Sequence, residues 1–426
     1  MKNFLILVLS ATILSACSNI EELKPQITNT SQETITSTHI SKSDAVEIAK
    51  NLLHQTSVGT RSTKLNEPTE FKYVMSRMKT RANVNLSDTL AYIINFPDDA
   101  GYVIVASDNR INPILAFSEE GNFDPSNELV QQYFIDKIEP YMIEAAMSDD
   151  GYTYNTDNFY WDSCVRIENQ GSYGLHQLAP YNKYIAEEHP GYPAGCVTIA
   201  VANIISQAKA ELNDYHGMTF SPRAARNAMK KEWDAKNALR KKIVPAEGYY
   251  IPTYTYDEAL EYICKLIYWL SKDLEIEFKV DKNGGKGGYG DSNKAKPMFE
   301  KLGLYVPFGL SDCNLNDIVY YLTNNYTIYM RGTDVTFDNN WVGHAWVCDG
   351  CYFCYDQSNL DENGNYKKRD IFIHCDWGWS EKDVSYFNGD LLIKFNFELE
   401  IGHANFKMIK YFPVQCDKIA DPYSIL

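Results

Sequence analysis

Pro193-Ala194-Gly195-Cys196-Val197-Thr198-Ile199-Ala200-Val201-Ala202-Asn203-Ile204-Ile205 is the stretch from which the rest of the chain is best read. A turn-like approach ends at Gly195. Val197, Ile199, Ala200, Val201, Ile204 and Ile205 then recur in the pattern of a buried helix, predicted from about Cys196 to Ala210. Cys196 therefore opens a helix. Backbone N–H groups and the helix dipole there favour a negative sulfur. A thiol attacks as thiolate, so this is where a reactive cysteine would sit. Gly195 lets another backbone or a substrate come close. Taken alone, a cysteine in an apolar run is ordinary core.

A base changes that reading. His344 lies in Val342-Gly343-His344-Ala345-Trp346-Val347, an apolar strand opened by a glycine. It follows Cys196 by 148 residues, within the rough separation of a Cys and a His supplied by the two halves of one fold. His374-Cys375-Asp376-Trp377-Gly378-Trp379 offers a polar orienter, Asp376, flanked by tryptophans that would shield the imidazole from water. Gln177 stands 19 residues before Cys196. Its amide and the Cys196 N–H would together make an oxyanion hole.

Around this centre the chain divides into segments. After Leu302 strands are predicted at 326–330, 344–348, 352–355, 371–375 and 391–397, whereas helices cover 222–242 and 256–270. A helical half and a strand-rich half predict an α+β domain over 151–426, with a cleft between them and a loop-rich start. Asn283 to Gly290 reads as a mobile glycine loop without the surroundings of a phosphate loop. Residues 41–150 form a smaller α+β unit. A helix begins near Ser41 or Ser43 with Ala45, Ile48, Ala49, Leu52 and Leu53 on one face. A hairpin pairs Leu90–Phe96 with Gly101–Ala106, Ile114–Phe117 makes a further short strand, and a helix over 127–147 bends or breaks near Pro140. Ser148 to Asp157 reads as an exposed linker open to proteolysis.

The N-terminus carries a short basic start, an apolar run from Phe4 to Leu14, then Leu14-Ser15-Ala16-Cys17. The run is too short to span a bilayer and reads as an export signal. Leu followed by small residues and Cys resembles a bacterial lipobox, with residues 1–17 as signal and Cys17 as the acylated residue; a plain signal peptide is the alternative. Ser18 after the Cys implies outer-membrane sorting in diderm bacteria. Residues 18–40 form a flexible tether. The mature protein would be exported to the outer membrane or cell surface, or released if cleavage severs the tether. The formal net charge of −16 argues against nucleic-acid binding and against electrostatic attachment to an anionic membrane, which leaves the lipid as the membrane contact.

Gln177-x-x-Pro180-Tyr181-Asn182, Gly195-Cys196-Val197, Gly343-His344-Ala345 with Asp349-Gly350, and Trp377-Gly378-Trp379 occur in the order and spacing of one family. The sequence resembles the streptopain family of papain-like cysteine peptidases. The first unit resembles the family's propeptide through Gly101-Tyr102-Val103-Ile104-Val105, Ser107-Asp108-Asn109-Arg110 and Pro113-Ile114-Leu115. The resemblance implies a two-part papain-like catalytic domain preceded by a propeptide that inhibits it until cut. It implies Cys196 as nucleophile, His344 as general base and acid, Gln177 as oxyanion donor, and Trp377 or Trp379 packed over the His. It also implies an endopeptidase acting on protein or peptide substrates with no cofactor or metal. Gly195, Gly343, Trp379, Gly287 and Gly288 are its substrate-binding candidates. Two positions depart from the family pattern: Asp376 stands where Asn is usual, and Asn203 where Gln is usual in the helix.

Rival readings have their own observables. A weak or inactive homologue that binds proteins at the surface would leave Cys196 unlabelled by a thiol probe. An acyl transferase of the transglutaminase type would incorporate amines. The spacing Cys348-x-x-Cys351-x-x-Cys354 can hold a metal, although these thiols fall on a predicted strand pair, which favours a disulfide or buried free thiols.

Overall fold

In the computed structural model, residues 38–56, 67–76, 87–97, 100–119, 121–123, 136–147, 153–155, 159–165, 175–208, 214–218, 258–280, 284–335, 341–357, 360–366, 369–378, 384–393 and 408–416 are described. The predicted helix over 222–242, Cys17 and Trp379 lie outside them.

The cysteine helix, α4 (Cys196–Ser206), is buried along almost its whole length. The sequence explains this, because only Thr198, Asn203 and Ser206 interrupt its apolar residues. It packs on α5 (Glu258–Asp273) and α6 (Ala295–Lys301) on one side and on the sheet on the other. The sheet's long central strand, β10 (Trp341–Asp356), carries His344 and pairs antiparallel with β9 (Tyr326–Val335) and β11 (Arg369–Asp376). Period-2 alternation sorts the side chains of β10. Ala345 and Val347 join the core around α4, while Trp346 and Cys348 join a second core on the opposite side.

The small N-terminal unit follows the expected plan. Helix α1 (Lys42–Thr56) buries Ala45, Ile48, Ala49, Leu52 and Leu53. Its start is closed by a reciprocal cap: Asp44 N donates to Ser41 Oγ at 3.3 Å and Ser41 N donates to Asp44 Oδ2 at 3.2 Å. Strands β2 (Thr89–Asn95) and β3 (Tyr102–Ala106) form the hairpin, and β4 (Ile114–Ser118) extends it. This sheet continues into the catalytic one: β4 pairs antiparallel with β12 (Val384–Asn388), which pairs with β11. The full order is β1 (Glu70–Met75), β2, β3, β4, β12, β11, β10, β9, β13 (Met408–Gln415), β8 (Ser311–Asp312), with β5 (Phe159–Val165) also on β10.

Several expectations are corrected. Helix α2 (Asp136–Met147) runs unbroken through Pro140. Pro140 is its fifth residue, so the missing N–H removes one bond at the edge of the first turn, where proline is tolerated best. The predicted linker is anchored at Tyr154, which is buried, donates its N–H to Asn109 O at 2.7 Å and its hydroxyl to Asp370 at 3.0 Å. The start of the catalytic part, expected as loop, includes strand β5. Residues 391–393, predicted as the start of a strand, belong instead to helix α8 (Gly389–Ile393). Asn388 Oδ1 accepts from Asp390 N and Leu391 N at 3.1 and 3.2 Å and so caps it. Gly287 and Gly288 belong to β7 (Lys286–Tyr289), paired with β6 (Glu277–Val280), rather than to a loop.

Candidate active site

Cys196 is half-buried at the first position of α4. Its N-cap, Gly195, has φ +89, a conformation L side chains rarely adopt. A Cβ there would also meet Gly288 O at 2.9 Å. The β6–β7 hairpin is thus seated directly on the approach to the nucleophile, held further by Lys286 Nζ donating to Pro190 O at 2.7 Å. Glycines in this hairpin permit backbone contact rather than looseness. Gln177 is buried and fastened to the same approach, because Ala194 N donates to Gln177 O at 2.8 Å. Gly343 lies exposed on β10 beside His344.

The Cys196 thiol is pushed up by burial, while the backbone N–H groups of Ala345, Val197 and Cys196 itself pull it down. The Ala345 contact brings the sulfur against the residue that follows His344. His344 is 5% exposed, and burial holds its pKa down at about 4 against the opposing carbonyl of Trp377. Its Nε2 lies 2.8 Å from that carbonyl. A carbonyl oxygen only accepts, so Nε2 carries the proton and Nδ1 is the basic nitrogen. The ring lies nearly parallel to two tryptophans, 6.1 Å from Trp346 at 11° and 6.1 Å from Trp377 at 19°, and these two stack on each other at 4.8 Å.

Asp376 was expected to orient His344 directly. Its carboxylate instead accepts from Gly378 N at 2.8 Å and from Asn203 Nδ2 at 2.6 Å. Burial, and secondarily the Asp349 charge, push its pKa up to about 7 against the Gly378 hydrogen bond. The two departures from the family pattern, Asn203 and Asp376, therefore meet in one hydrogen bond. Behind them lies a buried set that was not anticipated. Gln207 Nε2 donates to Asn203 Oδ1 at 3.0 Å and to Asp349 Oδ2 at 3.2 Å, Thr327 Oγ1 donates to Gln207 Oε1 at 2.8 Å, and His374 Nδ1 bonds Asp349. A lone Asn in an apolar helix was the available signal. Trp346 was also missed, although it shares a strand face with His344 at i and i+2.

The cysteines of β10 and β11 carry free thiols, with Cys348 and Cys375 Sγ atoms 3.4 Å apart across the strand pair. No cluster of His, Cys, Asp or Glu suited to a metal occurs among the described residues.

Comparison with known proteins adds the family. Residues 175–387 match the model of the peptidase C10 family, and residues 37–139 match that of the Spi protease inhibitor. The solved structures that match include a prointerpain A fragment from Prevotella intermedia carrying a Cys-to-Ala mutation, at 14% identity and TM-score 0.45, covering 78% of this chain and 96% of that one. Active wild-type interpain A cysteine protease from the same organism matches at 16% identity and TM-score 0.32, covering 57% of this chain and 91% of that one. No curated protein matches. The chain belongs to the peptidase C10 (streptopain) family. It is a cysteine peptidase with an N-terminal inhibitory pro-segment, and hence a zymogen.

Proposed function

We propose that the chain is an exported, lipid-anchored cysteine endopeptidase precursor in which Cys196 is the nucleophile and His344 its base and acid. The single observation that carries this reading is the His344 Nε2 bond to the Trp377 carbonyl, which makes Nδ1 the basic nitrogen, with Ala345 N–H against the Cys196 sulfur. In the reaction, Nδ1 removes the thiol proton and the sulfur attacks the scissile carbonyl carbon. The Gln177 amide and the Cys196 N–H hold the oxyanion. Imidazolium returns the proton to the departing amine, giving a thioacyl enzyme. A water deprotonated by Nδ1 then cleaves the thioester and restores the thiol. Gly195, Gly343, Gly287 and Gly288 would border the peptide, and Trp379 the far rim. The pro-segment is taken as 41–150 and the catalytic part as 151–426.

An electrophilic peptide probe tests the chemistry. After maturation it should label Cys196, and His344→Ala should abolish the labelling; labelling that ignores His344 would refute the pairing. Incorporation of labelled palmitate in a bacterial host tests the anchor. It should be lost in Cys17→Ala, and palmitate-free wild type would argue for a plain signal peptide.

A further inference from the structure

Asn203 is 1% exposed in a mostly apolar helix, seven residues beyond Cys196. Two turns of helix place it on the same side as the nucleophile. Its Nδ2 donates to Asp376 Oδ2 at 2.6 Å, and its Oδ1 is occupied by Gln207 Nε2 at 3.0 Å. The Gln207 contact fixes which way the Asn203 amide faces. The second Asp376 oxygen accepts the Gly378 N–H at 2.8 Å. That N–H and the Trp377 carbonyl belong to one peptide group, and the carbonyl is the partner of His344 Nε2. A peptide group is planar, so its N–H cannot turn without its C=O. Gly378 has φ +67, and a Cβ there would meet Ile199 of α4 at 2.8 Å, so the same turn also rests on the cysteine helix.

We propose that Asn203 and Asp376 are positioning residues that aim the Trp377 carbonyl, and through it the His344 ring, at the register set by the helix of Cys196. This rests on the assignment of Cys196 and His344 made above. A hydrophobic pair would fill the same space with less desolvation cost. What the polar pair adds is direction: an unbroken line runs from His344 through the Trp377–Gly378 peptide, Asp376 and Asn203 to α4. Bonds in such a chain polarise one another, which also strengthens the hold on Nε2–H.

An exchange of the two side chains tests this. Asp376→Asn sets one amide donor against another, Asn203→Asp sets two carboxylates face to face, and the double exchange N203D/D376N restores one donor and one acceptor. Full-length precursors are matured, and kcat, KM and the pH profile are measured on a fluorogenic peptide, with melting temperature alongside. Each single exchange should lower kcat about tenfold or more with KM changed less than about threefold, and should move the acid limb of the profile. The double exchange should recover kcat to within about threefold of wild type, which is strong non-additivity. Single variants that melt earlier but keep wild-type kcat and pH profile would overturn the proposal, as would a double variant no better than the worse single one. If a single variant does not fold, the double exchange still decides by the same criterion. Cys196→Ala separates the two levels: hydrolysis surviving in it sinks the underlying assignment, whereas a dead Cys196→Ala beside fully active exchanges sinks only the positioning role.

Discussion

Phe117 of the pro-segment stacks on Tyr386 of the catalytic part with ring centroids 4.9 Å apart and planes 14° from parallel. The two residues are also direct partners in the β4–β12 ladder, where the two sheets become one. Phe372 and Tyr352 close around the Phe117 ring, each at 5.9 Å. Among the described residues, pro-segment and catalytic side chains share two of the three hydrophobic cores. Trp346 and Trp377, which hold His344, stand in one of them together with Tyr102, Leu115 and Met142. The pro-segment and the tryptophans beside the histidine thus belong to one continuous core.

Phe117→Ala should weaken this junction. Truncating a fully buried Phe costs about 3–5 kcal/mol. The precursor should unfold at lower denaturant, and conversion to the mature form, followed by gel mobility over time, should be faster than in wild type. An unchanged conversion rate in a measurably destabilised precursor would show that the junction does not govern latency.

Gly288→Ala should injure the nucleophile from the neighbouring hairpin. A Cβ at Gly288 would lie 3.0 Å from Gly195 N, Gly195 Cα and Pro193 O, all backbone atoms that no rotamer change can relieve. The expected result is a loss of kcat/KM of about tenfold or more, with a melting temperature lowered by only a few degrees. Wild-type kcat/KM would mean that the hairpin does not steer Cys196.

Cys196 and His344 should both be uncharged in the precursor. Burial raises the thiol and lowers the imidazole to about 4, so at pH 7 the thiol keeps its proton and the imidazole is neutral. Alkylation of Cys196 by iodoacetamide, read by peptide mass, should climb by about tenfold per pH unit through neutrality, as a thiol well below its pKa does. A rate already level between pH 5 and 7 would reveal a thiolate–imidazolium pair instead.

Lys137 should make precursor stability depend on alkaline pH. It lies buried in α2, donates to Leu392 O at 3.2 Å, and is lowered to about 7 by burial, with Cys313 opposing. The unfolded chain keeps this proton to about 10.4. Between these values the unfolded state binds more protons, so stability rises with pH across the window and the penalty is complete below about 7. Lys137→Met should stabilise the precursor at pH 7 by about 1–3 kcal/mol and flatten the slope between pH 7 and 10, measured by urea unfolding. A destabilised variant, or an unchanged slope, would contradict this.

The parts that were legible in the sequence are those with local causes. The buried period of α4, the apolar stripe of α1 and the hairpin of β2 and β3 follow from neighbouring residues. The start of α8 was also locally marked, by Asn388-Gly389-Asp390, but its Leu and Ile residues read as strand. The junction of β4 with β12 was not legible, because that pairing joins residues some 270 positions apart and depends on which edges are left open after folding. The place of Asp376 beside Trp377 suggests a direct orienter of His344, yet the carboxylate is bonded to Gly378 N and Asn203. The Asn203 contact was not legible, since nothing in the chain links position 376 to position 203 until the helix lies across the sheet.

Whether Cys196 performs the chemistry is decided by Cys196→Ala. Wild type and variant are expressed as full-length precursors, with Cys264→Ala as a control at another buried thiol. Precursor size and hydrolysis of denatured casein are followed over time. Cys196→Ala should stay folded, show no hydrolysis, and fail to mature wherever maturation is self-catalysed, while the control keeps wild-type hydrolysis. A Cys196→Ala protein that hydrolyses casein at the wild-type rate would contradict the role of Cys196.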